Sequence, residues 1–397
     1  MNETRAIIEA FIESRTKNER CALATVVNVE GSAYRRPGAR MLMTENGRIV
    51  GSLSGGCLER DVFERARIVM QTREPIVVRY DTGADTEIVW GLGLGCNGIV
   101  QILIEPLDIA AMPLHLEFLS DCITRQKTGV IATVFGGKSD IKPGSRLMLQ
   151  DDDEAIIEFE NGEFARAAMR DARRALSDKK SSDKIYELTT GAAEVFIEFV
   201  EPPVPLVIFG ANADAAPVAE YAQKLGWHVT VVDTQARSAS LERFADCADA
   251  VTLCRPETAA DCVPLTQRTA AIVMTHNYQH DLELFKTLLP SSVQYVGMMG
   301  PKRRTERIIA EALAEGLTIS DEQMNRLHAP IGLDIGAETP SGIALSIVGE
   351  IRAVLSEREG GFLKRRNAPI HVGGESRILP TNGGIEHRAE TLEAIGA

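Results

Sequence analysis

Residues 205–233 read PLVIFGANADAAPVAEYAQKLGWHVTVVD. An apolar run ends in a glycine turn at Gly210, a helical segment follows, and a second apolar run, HVTVVD, closes on Asp233. Strand, turn, helix, strand and a terminal acid make up the architecture of a dinucleotide fingerprint. The glycines do not follow it. Asn212 and Ala215 stand where the second and third belong, so a side chain occupies the place where a pyrophosphate would approach the backbone. The stretch therefore specifies the fold and leaves NAD or NADP binding open.

Working outward, DAVTLC (249–254), AAIVMT (270–275) and VQYVGM (293–298) are again short, apolar and rich in β-branched residues, with helical segments between most of them. This alternation specifies a parallel sheet with helices on both faces. A helix over 340–357 takes Thr339 as N-cap and Pro340 at its first position. From Gly360 to Ala397 periodicity is lost, and a mobile tail is expected from about 359. Upstream, Pro202-Pro203-Val204-Pro205 marks a boundary, since closely spaced prolines stiffen a linker and block pairing.

Before that boundary the pattern changes. Residues 3–16 have helical spacing, with Ile7, Ile8, Phe11 and Ile12 on one stripe. CALATVVNVEGS reads as a strand and ARMLMTENGRIVGSL as a hairpin turning at Glu45-Asn46-Gly47. A helix over 57–71 and strands EPIVVRYD and GIVQILIEPL (98–107) follow. The next hundred residues repeat the plan: GVIATVFGG, RLMLQDDDEAIIEF, FARAAMRDARRAL and VFIEFVEPP answer these segments in order. Residues 1–200 thus read as one pseudo-symmetric α/β domain built from a degenerate repeat, about 1–107 and 112–202, followed by a parallel-sheet domain over 204–358.

The chain has 397 residues, 44% hydrophobic and 25% charged, an ordinary globular mix. Lys and Arg number 43 against 56 Asp and Glu, a net charge of −13 that disfavours nucleic acid as a partner. No apolar run approaches the about 20 residues of a membrane helix, and the amphipathic first thirty residues do not resemble a secretion signal. Seven cysteines, widely spread and without a C-x-x-C pair, suggest a reducing, cytoplasmic setting in which most thiols fill cores.

Six segments carry residues suited to chemistry. In GSAYRRPGARM (31–41), Arg35, Arg36 and Arg40 surround a Pro-Gly turn and make an anion clamp, with a solvated surface cluster as the plain alternative. The second repeat keeps Pro143, Gly144 and Arg146 but has Asp140-Ile141-Lys142 in place of Tyr34-Arg35-Arg36. In SLSGGCLERD (52–61), Gly55 and Gly56 precede Cys57 at the expected start of a helix, whose field favours thiolate; a buried inert cysteine is the alternative. WGLGLGCNG (90–98) offers glycines and Cys96 as a weaker second thiol. MTHNYQHDLELF (274–285) sets His276, His280 and Asp281 beyond the fourth strand, where open sheets bind ligands. One His pair is an incomplete metal site, so no metal is assigned. YVGMMGPKRRTERI (295–308) joins Gly300 to Lys302, Arg303 and Arg304 at a helix start, a phosphate-like setting. HAPIGLDIGAETP (328–340) is a glycine-hinged loop bearing Asp334 and Glu338.

Taken together, GSAYRRPGARM, SGGCLE, VMTHNYQHD, YVGMMGPKRR and PIGLDIGAETP resemble the xanthine dehydrogenase accessory family of the XdhC/CoxI type, over roughly residues 10–357. The resemblance implies a Rossmann-like C-terminal domain and a maturation chaperone for molybdenum hydroxylases. It implies molybdenum cofactor as a transient ligand, sulfurated with the help of a cysteine desulfurase and passed to an apo-enzyme of the xanthine or carbon monoxide dehydrogenase type. It also implies a homodimer. On this reading Arg35, Arg36, Arg40, Gly55 and Gly56 hold the cofactor beside Cys57. Gly210, Asp233, His276, Asp281, Gly300, Arg303 and Asp334 line a crevice in the second domain. The competing reading is an NAD(P)-dependent oxidoreductase using that crevice. Against it stand the broken fingerprint and the lack of an obvious acid–base pair.

Overall fold

The computed structural model describes residues 2–31, 33–81, 98–150, 155–234 and 239–367. Its first unit starts with helix α1 (Asn2–Thr16), strands β1 (Cys21–Gly31), β2 (Arg40–Thr44) and β3 (Ile49–Gly51), helix α2 (Glu59–Thr72), and strands β4 (Ile76–Asp81) and β5 (Gly98–Leu107). The same series follows as α3 (Leu114–Thr124), β6 (Gly129–Gly137), β7 (Arg146–Gln150), β8 (Ile156–Ile157), α4 (Gly162–Asp178), β9 (Ser182–Leu188) and β10 (Gly191–Val200). Each series forms an antiparallel five-stranded sheet, ordered β3-β2-β1-β5-β4 and β8-β7-β6-β10-β9. Element for element, the two orders are the same.

The period-2 pattern explains the layers. Along β1, Ala22, Ala24 and Val26 enter a core closed by Val62, Ala66 and Val69 of α2. Cys21 and Leu23 point the other way, into a core shared with Ile7 and Phe11 of α1, Leu119 of α3, and Ile131 and Met148 of the second sheet. Val27, Leu103, Phe135 and Phe196 extend this contact between the sheets. The second sheet has its own outer cover, Phe164, Ala168, Ala172 and Ala175 of α4. Ile12 departs from the expected stripe: it is 48% exposed, and Ala10 and Ser14 are buried instead.

Two buried ion pairs tie the sheets reciprocally. Arg40 of the first grips Glu198 of the second, and Arg146 of the second grips Glu105 of the first. Each guanidinium also donates to a turn carbonyl two residues back, Gly38 O at 2.9 Å and Gly144 O at 2.7 Å. The place expected for Arg40, in the anion clamp, is thereby corrected. Its side chain is only 9% exposed and its donors are engaged by Glu198 and Gly38, so it is a fastening of the fold rather than a free cation.

The third sheet is parallel and six-stranded: β11 (Pro205–Phe209), β12 (His228–Asp233), β13 (Ala250–Leu253), β14 (Ala270–Val273), β15 (Tyr295–Met298) and β16 (Leu327–His328). Its order, β13-β12-β11-β14-β15-β16, is that of a doubly wound dinucleotide-binding sheet, with the direction of winding reversing between β11 and β14. The connecting helices are α5 (Ala215–Lys224), α6 (Ala239–Phe244), α7 (Ala259–Cys262), α8 (Tyr278–Leu288), α9 (Lys302–Ala314), α10 (Asp321–Asn325) and α11 (Pro340–Leu355). Thr339 caps α11 through a bond from Gly342 N at 3.1 Å. Sequence periodicity missed β16, whose two residues are too few to show a pattern. The two units meet where Arg5 pairs with Asp249 at 3.2 Å and Arg268 donates to Pro202 O at 2.7 Å.

One expectation about cysteines is corrected. Cys254 and Cys262, expected as thiols, form a disulfide with Cα atoms 6.1 Å apart, because the turn into α7 folds back on the end of β13. Cys21, Cys122 and Cys247 are buried thiols, and Cys57 is half-buried. The expected tail lies outside the described residues beyond 367.

Candidate functional site

Two loop clusters gather most of the residues singled out in the sequence. The first lies between β1 and β2 and between β3 and α2. The β3–α2 loop spans 52–58, seven residues, against four (158–161) at the matching β8–α4 turn. Such a loop is held only if its amide donors find acceptors. Glu59, the first residue of α2, supplies them. Its carboxylate accepts from the backbone of Leu53 (3.1 Å), Ser54 (2.8 Å), Gly56 (2.9 Å) and Leu58 (3.1 Å), and from the hydroxyls of Ser52 (3.0 Å) and Ser54. Burial opposes its ionisation, but the hydrogen bonds from Ser54 and its neighbours outweigh this and lower its pKa to about 2.

This arrangement corrects the argument for Cys57. The helix starts at Glu59, two residues later than expected, and the free amides at its mouth are already turned onto a carboxylate. The field at Cys57 is therefore that of a helix terminus already neutralised by an anion. What remains for Cys57 is its place: half-buried, directly after Gly56, in a loop with no counterpart of that length in the second sheet.

The arginine loop reaches the same place. Arg35 pairs with Glu3 of α1, and Glu3 also accepts from Ser52 N at 2.9 Å, so one carboxylate joins helix, clamp loop and glycine loop. Arg36 is exposed and has no ion-pair partner among the described residues. Of the three expected clamp arginines, Arg35 and Arg40 are engaged by carboxylates, and Arg36 is not engaged by one among the described residues. Tyr34, 67% exposed, lies against Gly55. The motifs containing Tyr34 and Glu59 assign neither residue a role; the signal for Glu59 is an acid in the first turn after two serines and two glycines. Cys96 and the glycines at 91–95 lie outside the described residues.

The second cluster lies beyond the carboxyl ends of β11, β14 and β15. Gly210 has φ +123°, and a Cβ there would stand 2.4 Å from Met274 O, so only glycine lets the ends of β11 and β14 come this close. Asn212 bridges the same gap, its amide donating to Met274 O (3.1 Å) and Thr275 O (3.3 Å). His276, in a left-handed conformation at φ +59°, meets Asp214 at 3.3 Å. Asp281 is 2% exposed and accepts from Thr275 Oγ1 and from Arg304 Nε (3.1 Å) and Nη2. Gly300 lies against the Arg304 side chain. Gly210, His276, Asp281 and Gly300 are thus joined in one chain of contacts.

Individual roles differ from expectation. Asp281 has its carboxylate fully engaged and serves to hold Arg304. Arg304, not Arg303, turns inward, while Arg303 and Asp334 are exposed without ion-pair partners among the described residues. His276 and His280 diverge, His280 pairing with Thr234 at 3.0 Å, and no cluster of three or more metal-ligating side chains occurs among the described residues. Asp233 is 3% exposed, which leaves little of it for a ribose. A cavity of about 340 Å³ lined by Pro202, Pro203, Trp227 and Arg352 opens at the opposite, amino-terminal ends of β11 and β12.

Comparison with known proteins places this geometry. The profile of the XdhC Rossmann domain matches residues 206–351, and that of the XdhC and CoxI family matches 14–81. A Bacillus subtilis (strain 168) protein described as a probable xanthine dehydrogenase subunit is 32% identical over 356 residues, covering 88% of this chain and 97% of that protein. The molybdenum cofactor insertion chaperone PaoD of Escherichia coli (strain K12) is 22% identical, covering 90% of this chain and 91% of PaoD. A crystal structure of a xanthine dehydrogenase from Bacillus halodurans superposes with a TM-score of 0.70 at 28% identity, over 89% of this chain and 97% of the other. The identity to the Bacillus subtilis relative over nearly its whole length, together with both profile matches, shows that the chain belongs to the XdhC and CoxI family.

Proposed function

We propose that this chain is a cytoplasmic maturation chaperone that binds molybdenum cofactor, shields it while a cysteine desulfurase supplies the terminal sulfur, and delivers it to an apo-enzyme of the xanthine or carbon monoxide dehydrogenase type. We read it as a homodimer. Its duplicated unit (1–200) holds the cargo, and its Rossmann-like unit (204–358) is the accessory body. The observation that carries this reading is the loop cluster found in the first half alone: exposed Arg36 and half-buried Cys57 on loops joined through Glu3. A cofactor with a phosphate tail and a dithiolene-bound metal matches one cation and one thiol on a surface loop. The description of PaoD as a molybdenum cofactor insertion chaperone supports the same reading.

The test is to purify the protein from a molybdate-fed host, oxidise any bound cofactor to its fluorescent pterin, and quantify it by mass spectrometry. Retention in wild type and weakened retention in Arg36→Ala, by about 1.5–3 kcal/mol for each lost charge-assisted hydrogen bond, is the expected result. A wild-type protein that never carries a pterin overturns it. Against the oxidoreductase reading, Asn212 stands at the position of the fingerprint's second glycine, and its amide ties the turn to the end of β14. Titration with NADH and NADPH should give no saturable binding in the micromolar range.

A further inference from the structure

Tyr34 is a large aromatic left 67% exposed, with no hydrogen-bond partner for its hydroxyl among the described residues. Yet its ring is not loose on the surface. A Cβ built on Gly55 would stand 3.0 Å from Cε1, 3.2 Å from Cζ and 3.3 Å from Cδ1. Three adjacent ring atoms at nearly equal distances put Gly55 under the face of the ring, since an edge-on approach to Cε1 would hold its two neighbours markedly farther off. Gly55 is in the left-handed region at φ +77°, so both its backbone and its missing side chain suit this contact.

Several observations separate this contact from ordinary packing. The matching position in the second half is Asp140, so the shared scaffold does not need an aromatic there. The glycine that supports the ring belongs to the β3–α2 loop, seven residues long against four, and that loop is fastened by the Glu59 carboxylate. Arg36, two residues from Tyr34, is exposed and has no ion-pair partner among the described residues. One ring face is braced by backbone, and the other is open to solvent with the exposed Arg36 guanidinium near it in the chain.

We infer that the exposed ring of Tyr34 is a stacking platform for the pterin ring system of the cargo, with Gly55 bracing its back face and Arg36 taking the phosphate end. Stacking on a braced ring loses little conformational freedom on binding, which favours a planar heterocycle over a flexible ligand. The inference rests on the proposed cofactor-binding function and names the part of the ligand that this aromatic side chain recognises.

The test uses the full chain and two fluorescent probes, neopterin and neopterin 3′-monophosphate, titrated by quenching of pterin emission. Wild type should bind both, the phosphate ester more tightly. Tyr34→Ala should weaken both roughly tenfold or more, while Tyr34→Phe should stay within about twofold, because the ring and not the hydroxyl acts. Arg36→Ala should erase only the advantage of the ester. Equal neopterin affinity in wild type and Tyr34→Ala, in a protein that still carries cofactor from a molybdate-fed host, overturns the platform and leaves the chaperone reading intact. A wild type that binds neither probe yet retains cofactor overturns the platform alone, and one that binds neither probe and retains no cofactor removes both readings.

Discussion

Replacing Glu198 by Gln should loosen the N-terminal unit by about 4 kcal/mol. Arg40 faces Glu198 through two N–H groups, one at 2.9 Å to Oε1, in a site where the two side chains are 9% and 14% exposed. Burial works against the charged guanidinium, and the Glu198 carboxylate outweighs it, holding the Arg40 pKa above its ordinary value. Without that carboxylate the cation keeps one carbonyl, Gly38 O, and a neutral amide. Two charge-assisted hydrogen bonds at about 1.5–3 kcal/mol each give about 3–6 kcal/mol. Stranding one member of a buried pair costs about 3–5 kcal/mol. Against a usual total of about 5–15 kcal/mol this is severe. Glu105→Gln should cost a similar amount through Arg146. The apolar double variant Arg40→Met/Glu198→Leu should recover most of the loss, because the desolvation penalty goes with the charges. Urea unfolding, followed by amide exchange in β2 and β10, resolves these strands from the rest of the chain. A Glu198→Gln loss below about 1 kcal/mol, or a double variant weaker than the single one, refutes the argument.

Glu59→Gln should raise amide exchange across 53–58 with little change in global stability, because a freed surface loop regains water. The Glu59 pKa is lowered to about 2, so its clasp should be complete above the ordinary carboxylate range near 4.5 and be lost as pH falls from there towards 2; loop exchange that is flat across this window contradicts it. Cys57 should alkylate faster than Cys21, whose thiol burial pushes up to about 12, and bound cofactor should protect it; Cys57→Ser should keep the fold but retain less cofactor and mature less client, by peptide mapping and client assay. Asp281→Asn should destabilise the Rossmann-like unit by about 2–4 kcal/mol in thermal unfolding and release Arg304, since it removes the charge from a buried acceptor of three donors; a change below about 0.5 kcal/mol speaks against that role.

Most strands were legible because their signals are local: β-branched runs for the parallel sheet, and period-2 runs with a turn at Asn46-Gly47 for the first unit. The parallel order between the two halves was readable too, since RLMLQ answers RMLMT within a shared sequence of elements. What escaped was non-local. Nothing near Arg40 announces Glu198, which lies 158 residues away. Which basic residue after Gly300 turns inward depends on where the helix starts and on a buried Asp281 reached only in the folded chain. The disulfide is not legible because its cysteines stand eight positions apart, too far for a C-x-x-C pattern. Glu59 was overlooked for a different reason: a first-turn acid usually serves its own helix, and here it also organises the loop before it.

The reciprocal pairs Arg40–Glu198 and Arg146–Glu105 have the form of an isologous contact: the same arginine from each half meets the same glutamate of the other, about a local dyad. The seam has the same form as the interface of a symmetric dimer, here built within one chain. In such a molecule the seam supplies the rigidity, so neither half depends on the β1–β2 and β3–α2 loops, or on their counterparts, for its own shape. The second half can then carry Asp140-Ile141-Lys142 where the first has Tyr34-Arg35-Arg36, and a four-residue turn where the first has a seven-residue loop, while still acting as the wall against which the first half is braced.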